Sequence, residues 1–203
     1  PTRRSSDLTP IVQRLETLTV FDFPCYYEDW EDKKMSHQRR RIRTTAIVAI
    51  FWVRGATPEN KRKIIDLAQD HQEWETREAA IRELARGWRE DPEIPNRLKD
   101  CANQDDHWMV RRAAVQELAR GWKDDPETLA WLKSSIQGRA AWIVRFIAIE
   151  ELARGWRNDP ETLAIVKDCV RHDDHPETRQ TCVRELVRGW RDDPETLAIV
   201  KDC

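Results

Sequence analysis

The sequence predicts an all-α fold: a right-handed α-solenoid, an α-α superhelix of two-helix repeats with a period of 34 residues. Three observations predict it. Arg-Gly-Trp recurs at Arg86-Gly87-Trp88, Arg120-Gly121-Trp122, Arg154-Gly155-Trp156 and Arg188-Gly189-Trp190, each copy 34 residues after the last. Pro58, Pro92, Pro126, Pro160 and Pro194 keep the same spacing, and each precedes a Glu. Of the residues, 35% are charged and 39% hydrophobic, with only 6 Gly, a composition that suits exposed helices and not a turn-rich β fold. A fixed period of this length marks a repeat architecture, in which each unit buries its apolar face only against its neighbours.

Residues 1–8 (PTRRSSDL) are basic and lack the apolar stretch of a signal peptide. Back-translated as CCT-ACA-CGA-CGC-TCT-TCC-GAT-CT they look like a short-read sequencing adapter. They are expected to be a read-end artefact outside the fold, and the chain, which stops inside a repeat, a fragment of a longer protein. Residues 9–56 read as an N-terminal capping segment. Within it, residues 42–53 (IRTTAIVAIFWV) are the most apolar stretch and suit the buried second helix of an incomplete leading unit, with residues 11–20 as its first helix. Residues 21–34 fit no repeat, and their aromatics suit a cap over the end of the stack. Arg54-Gly55 is an earlier Arg-Gly copy, two residues out of phase. Residues 57–203 form the array: 57–90, 91–124, 125–158, 159–192 and a half repeat, 193–203.

Each unit reads as helix A followed by helix B. In the copy from Asp125, that carboxylate can cap the free N–H groups of the first turn, and Pro126 suits the first helical position, where its missing N–H costs nothing. Glu127 favours the positive end of the helix dipole, and Leu129, Leu132 and Ile136 mark an apolar stripe. Helix A is expected over residues 126–137. In the preceding helix B, Asp105-Asp106 supply the cap. Val110, Ala113, Ala114, Leu118 and Trp122 share one face, while Arg111, Arg112, Gln116, Glu117 and Arg120 cover the rest. Gly121 either ends this helix in a left-handed turn or lies within it.

Comparison of the copies separates constant columns from variable ones. The constant indoles Trp88, Trp122, Trp156 and Trp190 are read as packing between units, as is a second aromatic column, Trp74, Trp108 and Trp142. A base-stacking ladder would also want a basic groove, and 35 Lys plus Arg against 37 Asp plus Glu do not supply one globally. On that reading Trp122→Ala costs ~3–5 kcal/mol, as large core truncations do. Arg77, Arg111, Arg145 and Arg179 form a constant cationic column, read as an inter-repeat ion ladder reaching loop acids such as Asp105-Asp106 or Asp173-Asp174 bidentately. Glu83, Glu117, Glu151 and Glu185 lie three residues before Arg86, Arg120, Arg154 and Arg188, a stabilising helical spacing.

The variable columns are the candidates for recognition. They read Glu75, Met109, Ile143, Glu177; then Glu78, Arg112, Phe146, Gln180; then Arg82, Gln116, Glu150, Arg184. From them Met109, Arg112, Gln116, Ile143, Phe146 and Glu150 are the candidate partner-binding residues. The third unit stands apart: its loop Gln137-Gly138-Arg139-Ala140 lacks the Asp pair, and Ile143, Phe146 and Ile147 give it an apolar patch.

Sites for chemistry are lacking. The sequence holds no phosphate-binding G-x-x-x-x-G-K-[ST] loop, no His-Glu pair and no C-x-x-C. Cys169, His172, His175 and Cys182 could in principle gather around zinc, but Cys101, Cys169 and Cys203 share a repeat column with Ser135, which makes them small residues near the end of helix A. The basic run at residues 39–43 reads as a solvated helix start. No catalytic residue, cofactor or metal is expected. No apolar run approaches the ~18 residues of a membrane span, and 5 Cys, an odd number, argue against a secreted disulfide framework. A cytoplasmic protein with a protein partner is expected, without membrane insertion and with nucleic acid disfavoured.

The stretch DDHWMVRRAAVQELARGWKDDPETL (Asp105–Leu129) resembles HEAT-like repeats of the short type named after phycobilisome lyases. Runs of R-G-W-[KR]-x-D-P-E-T-L look like the repeat tails of bacterial, notably cyanobacterial, NACHT-type STAND NTPases. The resemblance covers residues 42–203. It implies a non-catalytic interaction scaffold or sensor belonging to a larger signalling NTPase, whose ATPase module this sequence lacks. The alternative it implies is a phycobilin lyase or a lyase-associated subunit. HEAT-like deoxyhypusine hydroxylases bind iron through His-Glu pairs, which are absent here. HEAT-like alkylpurine DNA glycosylases need a basic concave face, and the charge columns here are mixed.

Overall fold

A computed structural model describes residues 55–70, 72–138 and 140–202, with residues 10, 13, 44–46, 48, 49, 51 and 53 ahead of them. The expected artefact, the helix at 11–20, the aromatic stretch 21–34 and the basic run 39–43 lie outside the described residues, save Pro10 and Gln13. The described residues form α-helices and no strand. The helices are α1 (Pro58–Asp70), α2 (Trp74–Gly87), α3 (Ile94–Gln104), α4 (Trp108–Gly121), α5 (Pro126–Gln137), α6 (Trp142–Gly155), α7 (Pro160–His172), α8 (Pro176–Gly189) and α9 (Pro194–Asp202). The chain divides into two compact units, residues 1–90 and 91–203.

In the first unit α1 packs on α2 around Ile64, Ala68, Ala80, Ile81 and Leu84. Thr57 caps α1 by accepting from the Asn60 N–H at 3.2 Å. Residues 44–46, 48, 49, 51 and 53 are helical, with Ala46 and Phe51 buried.

In the second unit the A helices are α3, α5, α7 and α9, and the B helices are α4, α6 and α8. Each B helix packs on its own A helix and on the neighbouring B helix, and the B row packs more extensively than the A row. This is a stacked solenoid layer, and its tighter side is the B side. The core runs through it without a break: Leu98, Val110, Ala114 and Leu118, then Leu132, Ile147 and Leu152, then Val166, Cys182 and Leu186.

Local chemistry sets the helix starts. The Asp125 carboxylate accepts from Glu127 N–H at 3.0 Å, that of Asp159 from Thr162 N–H at 3.1 Å, and that of Asp193 from Thr196 N–H at 2.9 Å. Helix α5 spans the residues the sequence assigned to it. One copy departs: α3 begins at Ile94, not Pro92. Pro95 has no N–H to give the Asp91 carbonyl, and its ring disfavours a regular helical turn before it. The turn closes one residue tighter instead, with Ile94 N–H donating to Asp91 at 3.2 Å.

The B helices run through their glycines. Gly121, Gly155 and Gly189 are the last helical residues, and Trp122, Trp156 and Trp190 sit at the C-cap, their N–H groups donating to Leu118, Leu152 and Leu186. Among the described glycines only Gly55 has a positive φ, 72°. The left-handed ending is therefore excluded for the Arg-Gly-Trp copies. Trp88, Trp122, Trp156 and Trp190 are half-buried at the ends of the B helices and do not fill the core. That corrects the full core cost expected for Trp122.

Candidate functional site

Two sets of ionic contacts hold the second unit in register. The first is the arginine column. Arg145 on α6 donates from Nε and Nη2 to the two oxygens of Asp173 in the next repeat, at 2.8 and 2.9 Å. It also bonds Asp174 and gives Nη1 to the Ala140 carbonyl at 2.8 Å. This is the bidentate reach to the loop acids that the sequence suggested. Arg111 and Arg179 bond the carbonyls of Asp105 and Asp173, at the start of their own loops. Arg77 in the first unit does the same with Gln72 at 3.2 Å. The column is therefore a loop brace in every copy and an inter-repeat clamp at Arg145. Burial alone raises the Asp173 carboxyl, but the Arg145 bond, the His175 N–H and the guanidinium charge outweigh it and hold the group below the ordinary range.

The second set was not singled out in the sequence. Lys133 on α5 meets Asp159 at 2.8 Å and Glu161 at 2.7 Å at the start of α7. Lys167 on α7 meets Asp193 at 2.7 Å and Glu195 at 2.9 Å at the start of α9. Lys99 approaches Glu127 at 3.9 Å. The signal was present: Lys99, Lys133, Lys167 and Lys201 fall on the 34-residue period, and the first three face the Pro-Glu start of the following unit.

Against this frame the candidate residues occupy a ridge along the B helices. Met109 and Arg112 on α4 and Phe146 and Glu150 on α6 are half-buried. Glu150 accepts from Arg184 of the next repeat at 3.0 Å. Gln116 and Ile143 are only 8% and 7% exposed, so they line the inside of the stack and not a contact surface. The reason is geometric: a B helix packed on its own A helix and on a neighbouring B helix keeps only a narrow strip outside.

The second aromatic column supplies what that strip presents. Trp108 and Trp142 occupy the first positions of α4 and α6 and remain 48% and 40% exposed. Neither ring enters the core, because a side chain in the first helical turn overhangs the loop; Trp108 lies beside His107 of its own repeat, while Trp142 meets the expectation of packing on the next unit through that unit's loop. Trp142 stacks face to face on His175 of the next loop, centroids 4.1 Å apart and planes at 4°, and meets Phe146 edge-on at 6.5 Å. At the same register ahead of Trp108 stands Ala141, which offers no ring. The stripe Trp108, Arg112 and the stripe Trp142, Phe146, Glu150 thus run side by side at spacings of four. Exposed indoles over a rigid base are the residue type that dominates protein interfaces.

Residues 61–153 match the family described as HEAT repeats. That match supports the helical repeat architecture described above. No curated protein and no solved structure matches the chain.

The fourth repeat brings Cys169 and Cys182 together. The Cys182 thiol is pushed up by its hydrogen bond with Cys169 and by burial, which makes it a poor thiolate. The Cys169 thiol donates to Asp173 at 3.6 Å. His172 pairs with Asp168 at 2.8 Å, and His175 is held against Trp142. Those four residues therefore form no zinc set, and among the described residues no group of three or more His, Cys, Asp or Glu is placed to hold a metal. Among the described residues no helix is long and apolar enough to cross a membrane.

Proposed function

We propose that the array is a non-catalytic scaffold or sensor that binds a protein partner across its B-helix ridge. The observation that carries this is the exposed pair Trp108 and Trp142, fixed at equivalent positions of adjacent repeats. Their neighbours Met109, Arg112, Phe146 and Glu150 give a polar and apolar surround of the kind that excludes water from an interface centre. Free Cys101, Cys169 and Cys182 suit a reducing cytoplasm. The Arg-Gly-Trp-[Lys/Arg] runs that resemble NACHT-type NTPase tails support a place in such a signalling protein, with the repeats as its sensing tail.

The test is cross-linking mass spectrometry on the full-length protein in its native cells. Cross-links to a partner should centre on residues 108–112 and 142–150, and the Trp108→Ala/Trp142→Ala pair should lose them while far-UV circular dichroism stays unchanged. Partner cross-links spread over the A helices, or unaffected by that pair, would overturn the reading. An in-frame P-loop in the parent gene supports the NTPase assignment. Neighbouring phycobiliprotein genes without a P-loop overturn it in favour of a lyase role.

A further inference from the structure

We infer that the edge of the second unit formed by the ends of its B helices binds an extended acidic segment of the partner protein, with one carboxylate per repeat. The inference rests on the scaffold reading above and names the chemistry of one part of the partner.

A cleft of about 750 Å³ opens at this edge between the third and fourth repeats. Its own carboxylates are already matched. Asp159 is held by Lys133 at 2.8 Å, and Glu150 and Glu185 by Arg184 at 3.0 and 3.6 Å. Three cations on the cleft remain: Lys123, Arg157 and Arg188. All three are exposed, and none has a carboxylate partner among the described residues. Arg191 repeats the register of Lys123 and Arg157 one unit further on, also exposed and also without an acid among the described residues.

Lys123 and Arg157 lie along neighbouring helix ends. A Cβ built on Gly189 would meet the Arg157 Nε at 3.2 Å, and one on Gly155 the Lys123 Cε at 3.9 Å. The glycines let each long side chain lie across the end of the next B helix. Arg157 rests over the Trp190 ring, its Cζ 5.9 Å from the centroid. A guanidinium lying on an indole keeps its in-plane N–H groups free for a carboxylate, and a side chain already laid down loses less freedom on binding.

The spacing selects the ligand. Neighbouring packed helices lie roughly 8–10 Å apart, so the row offers one cation per ~9 Å. A polyproline II strand has three residues per turn and rises ~3.1 Å per residue, which puts every third side chain on one face ~9 Å apart. An acid at every third position of such a strand meets Lys123, Arg157 and Arg191 in turn. A nucleic-acid strand carries a phosphate every ~3.4 Å, far denser than this row, and Asp124 and Asp192 stand beside the cations to repel a continuous polyanion.

The experiment is fluorescence anisotropy of the full chain with labelled peptides. One peptide carries Glu at every third position separated by Pro. A second holds the same residues with the Glu clustered, and a single-stranded oligothymidylate of equal length is the third probe. The spaced peptide should bind tightest, weaken as salt rises, and lose about fivefold or more with Arg157→Glu and with Lys123→Glu. Equal binding of the clustered peptide, no binding, or tighter binding of the oligonucleotide would each overturn the inference. If the peptide fails while partner cross-links at Trp108 and Trp142 persist, only this inference falls. If both fail, the scaffold reading falls with it.

Discussion

Replacing Arg145 by Ala should be the most damaging single change at the joint between the third and fourth repeats. The guanidinium is buried and makes two bonds to Asp173, one to Asp174 and one to the Ala140 carbonyl. These contacts do not weigh equally. The Asp174 side chain is almost fully exposed, so its share falls in the surface range of ~0–1 kcal/mol. The Asp173 side chain is 4% exposed. Truncating Arg145 leaves that carboxylate buried without its cation, a change that costs ~3–5 kcal/mol. Arg145→Lys keeps the charge and loses the fork, and should cost about half as much. Urea denaturation followed by circular dichroism reads both, and hydrogen exchange should place the loss in α6–α8. The sign with pH is fixed as well. Because the folded Asp173 carboxyl lies below its ordinary value of 3.8, its contribution is complete above that value and is lost as the pH falls through the folded one. The gap between wild type and Arg145→Ala should therefore close as the pH is lowered from about 5 toward about 2. A variant within ~1 kcal/mol of wild type at pH 7, or a gap that does not change with acid, would refute the buried-pair reasoning.

Trp122→Ala should cost ~1.5–2.5 kcal/mol by chemical denaturation, below the ~3–5 kcal/mol of a fully buried indole, because this ring is half-buried. Leu118→Ala, from a fully buried position on the same helix, should exceed it. Gly121→Ala should raise stability by roughly 0.5 kcal/mol, since a Cβ there meets nothing within 4 Å and Ala is the better helix residue. Gly138→Ala should lower the melting temperature, because its Cβ would lie 2.8 Å from the Ser134 carbonyl oxygen. Lys133→Ala should cost ~1 kcal/mol at neutral pH. Burial opposes the charge on Lys133, but the bonds to Asp159 and Glu161 outweigh it and raise the group above 10.5. The stability it gives is thus full below 10.5 and lost as the pH climbs through the higher folded value, which an alkaline denaturation series would follow.

What the sequence revealed was what periodicity and local chemistry determine. Asp125, Pro126 and Glu127 set the start of α5, and the fixed column placed Arg145 within reach of Asp173. Hydrophobic pattern alone misplaced other residues, because it reports affinity for a core and not position in the stack. Trp108 and Trp142 look like core residues but open their helices, where the first turn overhangs a loop. Gln116 looks like surface, yet a helix packed on both its own A helix and the next B helix has little surface to give. The start of α3 moved because Pro95, outside the repeat columns, overrides Pro92. The lysine contacts went unread because a Lys on a helix is ordinarily solvent-facing, and only the acids of the following unit give it a role.

The loop 137–140 carries no Asp pair, and among the described residues Arg111 is satisfied only by the Asp105 carbonyl within its own loop. The repeat that precedes it is therefore joined to its successor on the B side by packing and by the long Arg120–Glu151 contact at 3.9 Å, whereas the buried fork of Arg145 rivets the next joint. Under tension along the stack, the softer seam between α4 and α6 should part first and the riveted one last, so the array behaves as a spring with a designated weak coil.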